Sequence, residues 1–223
     1  MTWKQVFTSS IGRKLVMSFT GIFLILFLIV HAGLNACIWA NDGGEMFLKG
    51  AHFMGSNWVP RVLEIGLFAG IILHIVQGFA LTISNQKKRS TAYAVSYGNR
   101  GSKWYSRSMG LLGTLILLFL ILHLSNFWYP NRSSQGWLLG EEINLYEKMK
   151  LEFSVTWVVI VYVIGCISLA YHLAHGFQSA FRTIGVHNKR YNKMITSLGY
   201  GFAIIVPLIF ALMPLSFYFG WIS

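Results

Sequence analysis

Four long apolar runs each carry a histidine at a matching place: His31, His74, His123 and His172. A histidine at membrane depth is costly to bury, and three kinds of chemistry repay that cost. It can ligate a metal, relay a proton, or hydrogen-bond a neighbouring helix. The spacing around these four is not random. Gly21-x9-His31 ends in Phe27-Leu28-Ile29-Val30-His31, and Gly113-x9-His123 ends in Phe119-Leu120-Ile121-Leu122-His123. His74-x-x-x-Gly78-Phe79 is matched by His172-x-x-x-Gly176-Phe177. The first two apolar segments therefore read as a repeat of the third and fourth, related by an axis along the membrane normal. One histidine alone would fit interhelical hydrogen bonding, but four in a repeated pattern point to a shared ligand.

The elements that carry them are membrane spans. Of the 223 residues, 55% are hydrophobic and only 11% are charged, and mean hydropathy is +0.56. That composition excludes a soluble globular enzyme and a disordered chain. Five apolar segments reach the ~20 residues needed to cross a bilayer. They run 15–39, 62–84, 108–129, 153–181 and 194–221. Pro60 suits a helix start, and Pro207 and Pro214 are expected to bend the fifth span. The first span is too long for a signal-peptide core and is expected to be retained.

The net charge of +11 does not mark a nucleic-acid partner, because the charges are sorted by loop. Lys4, Arg13, Lys14, Lys87, Lys88, Arg89, Arg100, Lys103, Arg107, Arg182, Lys189, Arg190 and Lys193 are thirteen of the eighteen basic residues, and their segments hold no acid. All seven acids, Asp42, Glu45, Glu64, Glu141, Glu142, Glu147 and Glu152, fall on the other side. The positive-inside rule puts the N-terminus inside and the C-terminus outside. Connections of this length are too short for a soluble catalytic domain. Any chemistry sits among the spans or comes with a partner. Cys37 and Cys166 are too few for an iron–sulfur cluster and read as packing.

Depth then pairs the histidines. Counting up from Lys14 and Arg107, His31 lies roughly 26 Å and His123 roughly 24 Å from the inner edge. Counting back from Lys87 and Arg182, His74 lies roughly 20 Å and His172 roughly 15 Å from it. An outer pair, His31 with His123, thus stands above an inner pair, His74 with His172. Two facing imidazoles suit a ligand with two axial positions, and haem is that ligand. Without a Cys-x-x-Cys-His motif the haem is expected to be b-type. Gly70, Gly78 and Gly176 flank the inner histidines and offer walls without side chains, or close helix packing. His175 competes with His172 but lies only about 10 Å up, and is expected to meet a propionate or the inner rim. His187 and His52 read as solvated loop residues.

These residues resemble the cytochrome b membrane subunit of bacterial succinate:quinone oxidoreductases, including fumarate reductases, over essentially the whole chain. The resemblance is carried by His31, His74, His123 and His172-x-x-x-Gly176 in separate helices. It also rests on Ala51-His52-Phe53-Met54 with Leu63-Glu64-Ile65, on Ser18-x-x-Gly21 and on Arg107-x-x-Gly110. It implies an all-α integral membrane fold: a single domain, 1–223, with a four-helix haem-binding bundle and a peripheral fifth helix. It implies two b haems, a quinone (menaquinone for this type), and flavoprotein and iron–sulfur subunits on the inner face. The location implied is the bacterial inner membrane, and the partners implied extend to a higher oligomer of the complex. Some di-haem fumarate reductases have a glutamate two residues before the fourth helix's ligand, and Ala170 stands there, which puts that proton path in doubt.

Glu64 is the candidate for quinone proton transfer, with a first-turn glutamate stabilised by the helix dipole as the plainer reading. Ser18, Arg107, His175 and Arg182 are the candidate propionate or inner-rim contacts. Two other readings stay open: the di-haem cytochrome b of a hydrogenase or formate dehydrogenase, and a proton-coupled transporter using histidine relays.

Overall fold

A computed structural model describes residues 9–87, 103–135, 143–186 and 188–222. Lys4, Lys88, Arg89, Arg100, Glu141, Glu142 and His187 lie outside the described residues. Among those described, all regular structure is helical. The helices are α1 (Ser10–Ala36), α2 (Glu45–Ser56), α3 (Trp58–Lys87), α4 (Trp104–Arg107), α5 (Met109–His123), α6 (Tyr129–Gln135), α7 (Leu145–Phe153), α8 (Thr156–Thr183) and α9 (Lys189–Tyr218).

Five helical stretches are long and apolar enough to cross a membrane: Ser10–Ala40, Trp58–Lys87, Met109–Ser134, Thr156–Thr183 and Arg190–Tyr218. They sit where hydropathy places them, and most run a few residues further at one end or both. The third is extended only at its outer end. There α5 does not stop near Tyr129 but passes through a π-helical turn, Leu124–Trp128, straight into α6. Pro60 lies in the first turn of α3, where its missing N–H is harmless. Pro207 and Pro214 lie inside an uninterrupted α9, and Pro214 is fully buried.

The two outer connections hold helices of their own. Asp42 accepts from the backbone N–H of Gly44 at 3.0 Å and of Met46 at 2.9 Å, starting α2. Asn144 Oδ1 accepts from the N–H of Glu147 at 3.0 Å and caps α7. Gly44 is required twice over: its φ is +85°, and a Cβ there would meet the Tyr146 ring at 2.4 Å. α7 buries Tyr146, Met149 and Phe153, one helical face, against Phe47 of α2, Val158, Val159 and Tyr162 of α8, and Met213 of α9. This is the larger core, at the outer end. A smaller one joins Ile25, Leu173 and Ala203 of α1, α8 and α9.

α1 packs on α3, α8 and α9, α5 packs on α3 and α8, and α9 packs chiefly on α8. Small residues allow the close approaches. Cβ atoms at Gly70 and Gly78 of α3 would meet Phe23 and Met17 of α1 at 3.1 and 3.2 Å. These two glycines receive side chains of the neighbouring helix, so they serve helix packing. The outward faces are apolar, as with Leu26, Ile72, Leu118, Ile164 and Ile204, the pattern of helices solvated by lipid.

Candidate functional site

The segments repeated in sequence adopt the same local geometry twice. His31 stacks on Phe27, one turn earlier in α1, with ring centroids 5.1 Å apart and planes 20° apart. His123 stacks on Phe119, one turn earlier in α5, at 5.7 Å and 25°. Both rings point between the helices and meet there: their centroids are 5.8 Å apart and their planes nearly perpendicular, at 89°. Phe210 of α9 reaches His31 at 5.6 Å, so the fifth span also touches the outer pair. Towards the inner end, His74 of α3 and His172 of α8 face each other at 6.2 Å and 63°. A Cβ at Gly21 would touch His74 Cε1 at 3.6 Å, and one at Gly113 would touch His172 Cε1 at 3.9 Å. The glycine of each first motif thus lies against the histidine of the helix that follows it in sequence.

The donor set fits a metal held between two imidazoles. A metal–imidazole nitrogen bond is about 2 Å long, so one ion between two rings separates their centroids by about 6 Å. Both pairs have that separation, which directly packed rings share. Among the described residues no group of three or more His, Cys, Asp or Glu side chains converges, so a four-ligand protein site such as zinc's has no candidate. Two-ligand pairs instead match a group that brings its own equatorial donors.

Neighbouring side chains address Nδ1 of two of the rings. Thr20 Oγ1 lies 3.1 Å from His74 Nδ1. That hydroxyl already donates its proton to the Val16 carbonyl at 2.8 Å. In the tautomer that carries the ring proton on Nδ1, His74 donates to this oxygen and keeps its Nε2 lone pair free for a metal. Asn35 Nδ2 lies 3.4 Å from His31 Nδ1, a contact too long to fix a tautomer. Nδ1 of His123 and Nδ1 of His172 are buried without a hydrogen-bond partner.

At the inner end, His175 and Arg182 line one cavity of about 410 Å³ together with Lys14, Gln178, Ser179 and Thr183. That cavity joins two of the candidate inner-rim residues. The other two lie elsewhere. Ser18 is buried and its hydroxyl donates to the Lys14 carbonyl at 2.9 Å, and Arg107 closes α4. Lys103 donates to the Tyr200 hydroxyl at 2.6 Å, and Tyr105 lies 3.0 Å from that same oxygen. Those hydrogen bonds, Tyr200 first, hold the exposed Lys103 above the ordinary lysine range.

At the outer end Glu64 is not a free first-turn carboxylate. The Trp128 indole N–H donates to one of its oxygens, and the Arg132 guanidinium to the other. Arg61, on its own helix, adds a contact at 3.6 Å. Trp128 also packs on Phe68 of α3 at 4.8 Å. Every basic residue on this side has a carboxylate within 4.0 Å: Lys49 with Glu45, Arg61 and Arg132 with Glu64, Lys148 with Glu152, and Lys150 with Glu147. His52 is exposed on α2.

Sequence reasoning marks none of Thr20, Asn35 and Arg132, and reads Trp128 only as an aromatic residue at a span end. Thr20 had a usable signal: it precedes Gly21, at the level where the first motif begins. Trp128 and Arg132 had none, because the π-helical turn that aims them at α3 breaks the regular α-helical register. No family model, curated protein or solved structure matches this chain.

Proposed function

We propose that this chain is a membrane-anchoring di-haem cytochrome b that passes electrons between an iron–sulfur subunit and a quinone, in a complex of the succinate dehydrogenase and fumarate reductase kind. The observation that carries the proposal is the double pairing. Two histidine pairs from four different helices face each other at two levels, at a ring separation that would accept a single intervening metal ion. In this reading His31 and His123 hold the outer haem, and His74 and His172 the inner one. α1, α3, α5 and α8 form the haem-binding bundle, with α9 against its outside. The contacts of α1 and α5 with both α3 and α8 support that arrangement.

Held by these histidine pairs, haem would supply one-electron transfer. The chain's own residues do the rest. Thr20 orients His74, and Phe27 and Phe119 fix the outer rings in place. The apolar helix faces keep water from the wire. Lys14 and Arg182 offer the inner haem's propionates a cationic rim, with the His175 ring beside them. Glu64, held by Trp128 and Arg132 at the outer end, is the group for quinone protons. The dicarboxylate chemistry belongs to a flavoprotein partner. The basic inner segments, which hold no acid, give that flavoprotein and the iron–sulfur subunit a surface to dock on. The proposed location is the inner membrane of a bacterium, with menaquinone as the quinone.

The test is haem per chain in mild detergent, read by pyridine haemochrome and reduced-minus-oxidised spectra, together with the identity of co-purifying subunits. Two b haems with a flavin and iron–sulfur partner is the expected result. Two haems beside a nickel or molybdenum subunit would assign the chain to a hydrogenase or formate dehydrogenase. No haem, with haem supply adequate, would overturn the electron-transfer reading.

A further inference from the structure

Beside the outer histidine pair lies a polar cluster that neither haem ligation nor Glu64 uses. Its centre is Tyr162 of α8, only 5% exposed. Its ring is gripped edge-on by Phe119 at 5.0 Å and Phe153 at 5.1 Å, and its centroid is 6.1 Å from that of His123. A ring held in this way cannot swing its hydroxyl out to water. The Asn126 side chain, from the π-helical turn that follows His123, is close enough to act on that hydroxyl. Yet neither the Tyr162 hydroxyl nor Asn126 Nδ2 has a hydrogen-bond partner among the described residues, and both atoms are buried. The Ser125 hydroxyl beside it gives its proton to the Leu122 carbonyl at 2.8 Å.

Two buried donors in a wall of aromatic rings are expensive unless an acceptor meets them. An amide N–H only donates, and a phenol that accepts from it still has its own proton to place. One planar oxygen acceptor satisfies both groups. The π-helical turn is what makes the pair: its wider winding turns Asn126 towards α8 while Trp128, two residues on, meets Glu64 of α3.

We propose that Tyr162 and Asn126 form a two-donor site for one carbonyl or carboxylate oxygen, held beside His123. That oxygen has two sources, a propionate of the outer haem or a carbonyl of a quinone headgroup. The site rests on the di-haem reading and assigns to it two binding residues outside the histidine set.

The test uses the full chain in its complex, with Tyr162→Phe and Asn126→Leu. The first keeps the ring packing and removes one hydroxyl; the second keeps the side-chain volume and removes the amide. Haem per chain, the midpoint potentials of both haems, and the affinity for a soluble naphthoquinone are read for each variant. A propionate acceptor shifts the potential of the outer haem, or loses that haem alone, while the inner haem holds. A quinone acceptor leaves both potentials unchanged and weakens naphthoquinone binding about tenfold in each variant, the cost of one hydrogen bond. Wild-type potentials with wild-type naphthoquinone affinity in both variants would overturn the site. A haem-free wild-type complex would overturn the di-haem reading itself, and the naphthoquinone arm would still decide the donor pair.

Discussion

The Thr20 hydroxyl of α1 lies 3.1 Å from Nδ1 of His74 on α3, and it has already given its proton to the Val16 carbonyl. In the tautomer that donates to this oxygen, His74 keeps its opposite nitrogen free to bind a metal. A partner on the far side of a ligating imidazole raises its basicity and fixes its orientation, and losing one typically costs 10–100-fold in metal affinity, as an order of magnitude. Thr20→Val keeps the side-chain shape and removes the acceptor. Its expected effect is weaker retention of the inner haem and a raised inner midpoint potential, with the outer haem unchanged. Redox titration resolved by haem checks it, and an unchanged inner potential would remove Thr20 from the site.

The pairing itself makes a stricter prediction. His31→Ala and His123→Ala should each lose the same outer haem, and His74→Ala and His172→Ala the same inner one. Each variant is expected to drop from two haems per chain to one, and the two members of a pair should leave identical residual spectra. His175→Ala should keep two haems, because its ring lines the inner cavity beside Arg182 and Lys14 while His172 faces His74. Loss of a haem in His175→Ala with none lost in His172→Ala would reverse the assignment of the fourth helix.

Much of this was legible in the residues. Five spans follow from hydropathy, because lipid-facing helices must be apolar wherever they are not packed. Ring geometry brings together the two pairs that depth arithmetic proposes, since rise per residue along a straight helix is nearly constant. What sequence could not carry is lateral aim. The π-helical turn at Leu124–Trp128 leaves the apolar pattern intact but rotates everything after it. That rotation decides that Trp128 and Arg132 meet Glu64 and that Asn126 meets Tyr162. Asp42 and Asn144 hold the starts of α2 and α7, but a connection of that length between spans gives no sign that its helix folds back onto the core.

Glu64 links the second and third spans through Arg132 and Trp128. The carboxylate and guanidinium are partly exposed, with side chains at 23% and 26%, so screening limits the pair to about 1 kcal/mol. A double-mutant cycle on Glu64→Gln and Arg132→Gln should return a coupling energy of that size in thermal stability. The functional expectation is separate: Glu64→Gln should slow quinol-linked turnover at least tenfold with two haems retained. Full turnover in Glu64→Gln would leave Glu64 as a helix tie and nothing more.

Gly165 gives the sharpest packing prediction. A Cβ at this position of α8 would sit 2.6 Å from Phe119 Cδ2 and 2.7 Å from its Cγ, closer than two carbons can be. Phe119 has little room to yield, because its ring stacks on His123 at 5.7 Å and meets Tyr162 edge-on at 5.0 Å. Either α8 moves away from α5 or Phe119 pushes into the outer pair. Gly165→Ala is therefore expected to cost about 1–3 kcal/mol, the usual range for overpacking, and to disturb the outer haem's spectrum and occupancy before the inner one's. Gly66→Ala is the matched control, since nothing lies within 4 Å of its added Cβ. It should leave melting temperature and both haems unchanged. If both substitutions behave alike, or if Gly165→Ala disturbs the inner haem first, then Phe119 does not tie α8 to the outer pair.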